Sequence, residues 1–192
     1  MPVYNTPRQE KENMNPDEFY IVVDIEASGP DPSGFAMLSL GACTITAPQE
    51  TLYIELIPDS PNFISEALAV SDLSLEKLSK TGKTPTEAMQ VFADWLERIN
   101  KDRKPPVFTA FNAPFDWMFV NTYFHRYLGY NPFGYKALDI KACFMGLHQT
   151  RFDQTSHKAL CEYYQIGLDL THHALEDAIN EGEIFKAILN EF

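Results

Sequence analysis

The stretch FYIVVDIEASGP, Phe19 to Pro30, ends an apolar run in two acids. The run is rich in aromatic and β-branched residues, which suits a buried strand. Side chains alternate faces along a strand, so Asp24 and Glu26 point the same way. Acids are depleted in strands, and an unpaired buried charge carries a heavy desolvation penalty. Two explanations stand on this stretch alone. The strand frays into solvent at its acids, or the acids hold a cation between them.

The order of elements around that strand predicts an α/β fold. Residues 1–17 are polar, with several Pro and Asn, and are expected to form a flexible N-terminal tail. Residues 18–192 are expected to form a single domain. After the first strand, GPDPSG is a turn. FAMLSLGACTIT and TLYIELI follow as strands, joined through APQE, and such short connections make neighbours antiparallel. SEALAVSDLSLEKLSKTGK reads as short helical turns. TPTEAMQVFADWLERIN is a helix, with Met89, Phe92, Ala93, Leu96 and Ile99 at helical spacing. VFTAF is a fourth strand, and PFDWMFVNTYFHRYL a helix with Pro114 in its first turn. YKALDI reads as a fifth strand, and a closing helix starts near His173. The expectation is a mixed five-stranded sheet, its first three strands antiparallel, flanked by helices. Ligands of open α/β sheets bind near the carboxyl ends of strands, where the two acids stand.

Composition removes several classes of function. The formal net charge of −12 argues against tight non-specific duplex binding, which relies on many Lys and Arg contacts to phosphate. It leaves room for a nucleic acid held locally through cations, because acids gathered in one cleft attract divalent ions. No apolar run has the length of a membrane span, and the N-terminus lacks an apolar signal core. Three cysteines, Cys43, Cys143 and Cys161, form no C-x-x-C pair. Reduced thiols and a cytoplasmic protein are expected.

Two further acids stand in apolar lines. Asp116 shares a helical line with Val120, Tyr123 and Tyr127. Asp177 lies at the edge of the apolar face of the closing helix, in line with Ile184 and Ile188. Each alone is explained as a helix-start acid favoured by the dipole. Glu181 is one turn past Asp177, either a helper or a decoy, and His172 and His173 precede the helix. Taken together, carboxylates from three elements converge on apolar surroundings. Such a group repels and neutralises unless a cation compensates. Oxygen ligands suit Mg²⁺ or Mn²⁺ better than zinc. Two such ions about 4 Å apart activate water and stabilise a leaving oxygen in phosphodiester hydrolysis.

With these residues in view, the sequence resembles the DEDD 3′–5′ exonucleases of the histidine-bearing DEDDh branch, related to the epsilon proofreading subunit and ribonuclease T. DIEASG resembles their first motif, FNAPFDWMF the second, and HHALEDA the third. The likeness runs from about Phe19 to the C-terminus and includes LSKTGKTPTEAMQVF between the first two motifs. It implies a ribonuclease H-like fold, two Mg²⁺ or Mn²⁺ ions, and stepwise removal of nucleotides from a 3′ end. It makes Asp24, Glu26, Asp116 and Asp177 metal ligands. In the third motif the histidine precedes the aspartate by five positions, which selects His172 as general base and leaves His173 a bystander.

The likeness has departures. Phe111 stands where many members have His, and Ala27-Ser28 replaces a frequent Thr-Thr. Candidate substrate contacts are Phe35, Asn112 and Ser28. The tract NPFGYKALDIKACFMGL resembles the ribonuclease T branch, which implies a homodimer. The expected partner is a nucleic acid with a single-stranded 3′ end, DNA or RNA, and no membrane. Two rival readings are a binding module that keeps the fold without catalysis, and an exoribonuclease acting on short RNA only. All four acids and His172 being present favours an enzyme.

Overall fold

The computed structural model describes residues 18–167 and 170–191. The tail expected over residues 1–17 lies outside the described residues. The strands are β1 (Phe19–Ala27), β2 (Met37–Thr44), β3 (Thr51–Glu55), β4 (Pro106–Ala110) and β5 (Ala137–Asp139). The helices are α1 (Ser65–Ser71), α2 (Leu75–Thr81), α3 (Pro85–Ile99), α4 (Pro114–Tyr127), α5 (Ile140–His148), α6 (His157–Tyr164) and α7 (Ala174–Leu189).

The five strands run in the order β3-β2-β1-β4-β5. β1 pairs antiparallel with β2, and β2 antiparallel with β3. β1 and β4 are parallel, as are β4 and β5. This is the mixed sheet, antiparallel in its first three strands, that the sequence predicts. α3 starts where local chemistry dictates. Thr84 and Glu87 form a reciprocal capping box and Pro85 opens the helix. Its buried Met89, Phe92 and Leu96 are those at helical spacing. α6 has no counterpart in the sequence reading. Its two turns are too short for a clear period, and only the Ser156 hydroxyl, accepting from the Ala159 amide at 3.2 Å, marks its start.

The alternation of β1 divides the core. Ile21, Val23 and Ile25 pack with α3 and α4 residues such as Phe92, Phe119 and Tyr123. Val22, with Cys43 of β2, faces the opposite cluster formed with α5, α6 and α7. Asp24 and Glu26 share the face of Val22, by the period of the strand. They therefore point toward the α7 layer.

Three local features shape the end of β1. The parallel ladder with β4 stops at Val22 and Thr109, so the last part of β1 has no partner strand on that side. A register shift follows Glu26, as its antiparallel partner passes from Ser39 to Met37 between Glu26 and Ala27. On the other side, Asp24 is paired with Gly41 of β2. A Cβ on Gly41 would lie 2.2 Å from the Ala174 carbonyl, so this glycine lets the first turn of α7 rest against the sheet.

Candidate active site

The unpaired end of β1 determines where Asp116 goes. The Ile25 amide lacks a strand partner, and the Asp116 carboxylate accepts its hydrogen bond at 3.1 Å. Asp116 lies in the first turn of α4 and is 3% exposed. The turn before α4 passes through Asn112, whose φ of 65° is left-handed, a conformation Asn tolerates better than most residues. The turn thus carries α4 from one face of the sheet to the carboxyl end of β1.

Asp177 arrives from the other layer and is held locally. Its Oδ1 accepts from the Thr171 amide at 2.8 Å and from the Thr171 hydroxyl at 3.2 Å. Asp177 is 2% exposed, whereas Thr171 and His172 are exposed. His172 takes a left-handed φ of 56°, which turns the chain sharply before α7. One potential ligand atom from each of Glu26, His172 and Asp177 falls within 4.8 Å of the others.

The acids crowd one another. Burial raises the Asp24 carboxyl well above its ordinary range, with added repulsion from Glu181, Asp116, Glu26 and Asp177. Asp116 is raised by burial and by Glu26 and Asp139, against the lowering effect of the Ile25 amide. Glu26 is pushed up to about 7 by burial and by Asp177. Carboxylates crowded in this way call for a compensating cation. The donor set is carboxylate oxygen with one imidazole, which fits a hard divalent cation.

Two more carboxylates complete the surroundings. Glu181, one turn along α7 and 3% exposed, accepts from the Phe111 amide at 3.2 Å. Its carboxyl is raised by burial and by Asp116, so the residue left open as helper or decoy belongs to the cluster. Asp139 was not singled out from the sequence. It caps α5 by accepting from the Ala142 amide at 2.9 Å, and its charge reaches Asp116 and Glu181. The acid at the strand-to-helix junction LDIKA is its only trace in the sequence.

The three expected substrate contacts fall in different surroundings. Asn112 is exposed, two residues before α4, whose first turn carries Asp116. Phe35 is half-buried and packs over Gly29, where a Cβ would lie 2.2 Å from its ring. Ser28 is fully buried. Its hydroxyl donates to the Asn62 carbonyl at 2.8 Å and accepts from the Ala36 amide at 2.9 Å. That hydroxyl ties two loops together, between Ala27 and Gly29 of the groove described next. The open groove lies beside Glu26. It encloses about 330 Å³ and is lined by Ala27, Pro30, Ile64, Val70 and Phe115.

His173, set aside in the sequence as a bystander, is tightly engaged. Its ring stacks on Tyr53 of β3 at 4.4 Å between centroids and 24° between planes. Its amide donates to the Thr171 hydroxyl at 3.3 Å, and its carbonyl accepts from the Asp177 amide at 3.0 Å. A long-range stack of this kind leaves no periodic signal in the sequence.

Comparison with known proteins places this geometry in context. The family model RNase_T, described as an exonuclease, matches residues 21–185. The 3'-5' DNA exonuclease Cap18 of Escherichia coli is 41% identical over 171 residues, covering 89% of this chain and 91% of its own length. The nuclease domain of 3'hExo, a DEDDh family member bound to rAMP, superposes with a TM-score of 0.75 at 14% identity, covering 91% of this chain and 92% of that domain. E. coli Exonuclease I in complex with a dT13 oligonucleotide superposes with a TM-score of 0.69 at 14% identity, covering 89% of this chain and 41% of that one.

Proposed function

The chain belongs to the exonuclease family, and on that premise we propose that it removes mononucleotides from the 3′ ends of single-stranded DNA with the help of two divalent ions. The observation that carries the reading is the crowding of Asp24, Glu26, Asp116 and Asp177 at the carboxyl end of β1, where Glu26, Asp177 and His172 each bring a potential ligand atom within 4.8 Å of the others and an apolar groove opens beside Glu26. Divalent-metal dependence accords with the family and with the oxygen-rich donor set. The choice between Mg²⁺ and Mn²⁺ rests with the assay.

Asp24, Glu26, Asp116 and Asp177 would hold the ions. Bound there, the ions supply a lowered pKa for the attacking water and charge neutralisation at the leaving oxygen. His172, exposed and beside Glu26 and Asp177, takes the proton of that water as general base. The water oxygen forms a bond to phosphorus as the bond from phosphorus to the 3′ oxygen of the preceding nucleotide breaks. The products are a 5′-mononucleotide and a strand with a new 3′-hydroxyl. The groove between Ile64, Val70 and Phe115 takes the terminal base, where apolar and aromatic contact is worth about 1–3 kcal/mol per base.

DNA is the assigned substrate because the E. coli relative at 41% identity is named as a DNA exonuclease. The net charge of −12 favours single-stranded ends, since few phosphates away from the site can be neutralised. The homodimer implied by the ribonuclease T likeness is part of the proposal and is tested by sedimentation. Among the described residues, no helix is long and apolar enough to cross a membrane.

The test is incubation with 5′-labelled single-stranded DNA and RNA, in Mg²⁺ or Mn²⁺, with and without chelator. A ladder shortening from the 3′ end of DNA, abolished by chelator, is expected. Faster loss of RNA would move the substrate assignment to the exoribonuclease reading. Chelator-resistant cleavage would overturn the metal-dependent one.

A further inference from the structure

We propose that Lys141, Phe111 and Phe152 form a second nucleotide station, which holds the strand on the upstream side of the scissile phosphate. The inference rests on the exonuclease reading above and extends it beyond the acids and the terminal-base groove.

Lys141 lies in the first turn of α5, two residues past Asp139. Its ammonium is 4.3 Å from the centroid of the Phe152 ring and 5.8 Å from that of Phe111. Phe111 in turn adjoins the acid cluster, because its amide donates to Glu181. It also follows Ala110, which pairs with Asp139 across β4 and β5. Lys141 forms no ion pair with any described residue and lies over aromatic faces instead. Nearby cations behave otherwise: Arg151 pairs with Asp153 at 2.6 Å and Lys158 with Glu162 at 3.9 Å.

Phe152 is 62% exposed, held out on a single helical turn. An exposed ring beside an unpaired ammonium matches the two parts of a nucleotide. The ring stacks on a base and the ammonium meets a phosphate.

The position also fits the path of a strand. The groove beside Glu26 is lined from α1 and the end of β1. Lys141 projects from α5, which follows β5 at the sheet edge beyond β4. The two therefore flank the acids from different sides. A strand with its terminal base in the groove and its scissile phosphate at the acids leaves toward Lys141.

The test compares substrates that do and do not reach this station. The p-nitrophenyl ester of thymidine 5′-monophosphate fills the terminal site and carries no upstream nucleotide. A 5′-labelled DNA decamer occupies both places. Phe152→Ala and Lys141→Gln should raise KM for the decamer about tenfold, in line with loss of one stacked base, and leave the ester kinetics unchanged. Phe152→Trp should restore the decamer KM. Fluorescence anisotropy with Ca²⁺ replacing Mn²⁺ should show the same loss of decamer affinity without turnover. Melting temperatures should match the wild type, because Phe152 is exposed. Decamer KM and anisotropy both unchanged in Phe152→Ala and Lys141→Gln would overturn the station and make Phe152 a plain surface hydrophobe. A wild type inert on ester and decamer alike would instead sink the exonuclease reading, while the anisotropy still decides whether these residues bind the strand.

Discussion

Helices α4 and α7 each bring one aspartate to the end of β1, and they are held there by different means. The α4 start is fixed by the sheet, since Asp116 accepts the Ile25 amide that the short β1–β4 ladder leaves unpaired. The α7 start is fixed by its own loop and by a close approach. Thr171 bonds Asp177, and Gly41 lets Ala174 lie against β2. One aspartate thus completes the hydrogen bonding of a buried strand. The other depends on an exposed turn that also carries His172. Fold and chemistry are coupled at α4 and more separable at α7.

The largest expected effect is loss of either carboxylate. Asp116→Ala and Asp177→Ala should both reduce hydrolysis to background. Their stabilities should break the symmetry. Asp116→Ala strands the buried Ile25 amide, a cost of about 1–3 kcal/mol that Asp116→Asn avoids by keeping an acceptor. Asp177→Ala frees only Thr171, which is exposed and can turn to water. Metal-free melts should therefore place Asp116→Ala well below Asp116→Asn, with the two Asp177 variants melting together. A wide gap between the Asp177 variants instead would show that the α7 turn is as much a part of the fold as the α4 start.

The sheet-coupled half of this contrast was partly legible in the sequence. Asp24 and Glu26 showed in the strand period, and Asp116 in its apolar line along a helix. Which amide Asp116 would satisfy was not legible, because it depends on where the β1–β4 ladder stops. The role of Gly41 was hidden for a related reason. Nothing near LSLGACT signals that a helix more than a hundred residues later will press on that backbone. The burial of Ser28 was not legible either, because motif position says nothing about burial. Glu181 lies just past the third motif and Asp139 far from all three, so only packing reveals that their charges reach the cluster.

The next effect isolates the exposed side. His172→Ala should lower turnover about 10²–10⁴-fold, the usual contribution of a general base, while metal binding followed by calorimetry changes little. Loss of metal affinity on the scale of an Asp177 variant would instead make His172 a ligand, an arrangement that the 4.8 Å grouping with Glu26 and Asp177 permits.

Stability against pH separates the two helices again, with a smaller effect. Glu26 is raised to about 7 in the absence of a cation, from an ordinary value near 4.5. Below about 4.5 the folded and unfolded states both hold its proton. Between the two values only the folded state holds it, so stability is lost as pH rises through about 7. Burial raises Asp24, Asp116 and Glu181 with the same sign. The metal-free protein should melt progressively lower from about pH 5 to about pH 8, and the gain on adding Mn²⁺ should grow over that range. Asp177→Asn removes a charge that raises Glu26 and should flatten the fall near neutrality. A metal-free melting temperature that climbs with pH would mean the acids are compensated in a way the geometry does not show.

The smallest effect concerns the residue beside the base. His173 was expected to be a bystander, but its ring is stacked on Tyr53 and its backbone joins Thr171 to Asp177. The backbone links survive any side-chain change, so only the stack is at stake. Losing it frees the turn in which His172 holds its left-handed φ of 56°. His173→Ala should therefore reduce kcat a few-fold, within about 1 kcal/mol of the wild type as for loss of one aromatic contact, and leave KM unchanged. His173→Phe keeps a flat ring against Tyr53 and should recover most of the rate, although it has no nitrogen. Amide exchange at Thr171 and His172 should quicken in the Ala variant and return in the Phe variant. A Phe variant as slow as the Ala variant would show that the imidazole nitrogens matter and not the stack. Unchanged kcat and unchanged exchange in the Ala variant would make the His173 side chain a bystander, and leave the α7 turn anchored by Thr171, the backbone bonds and the close approach at Gly41.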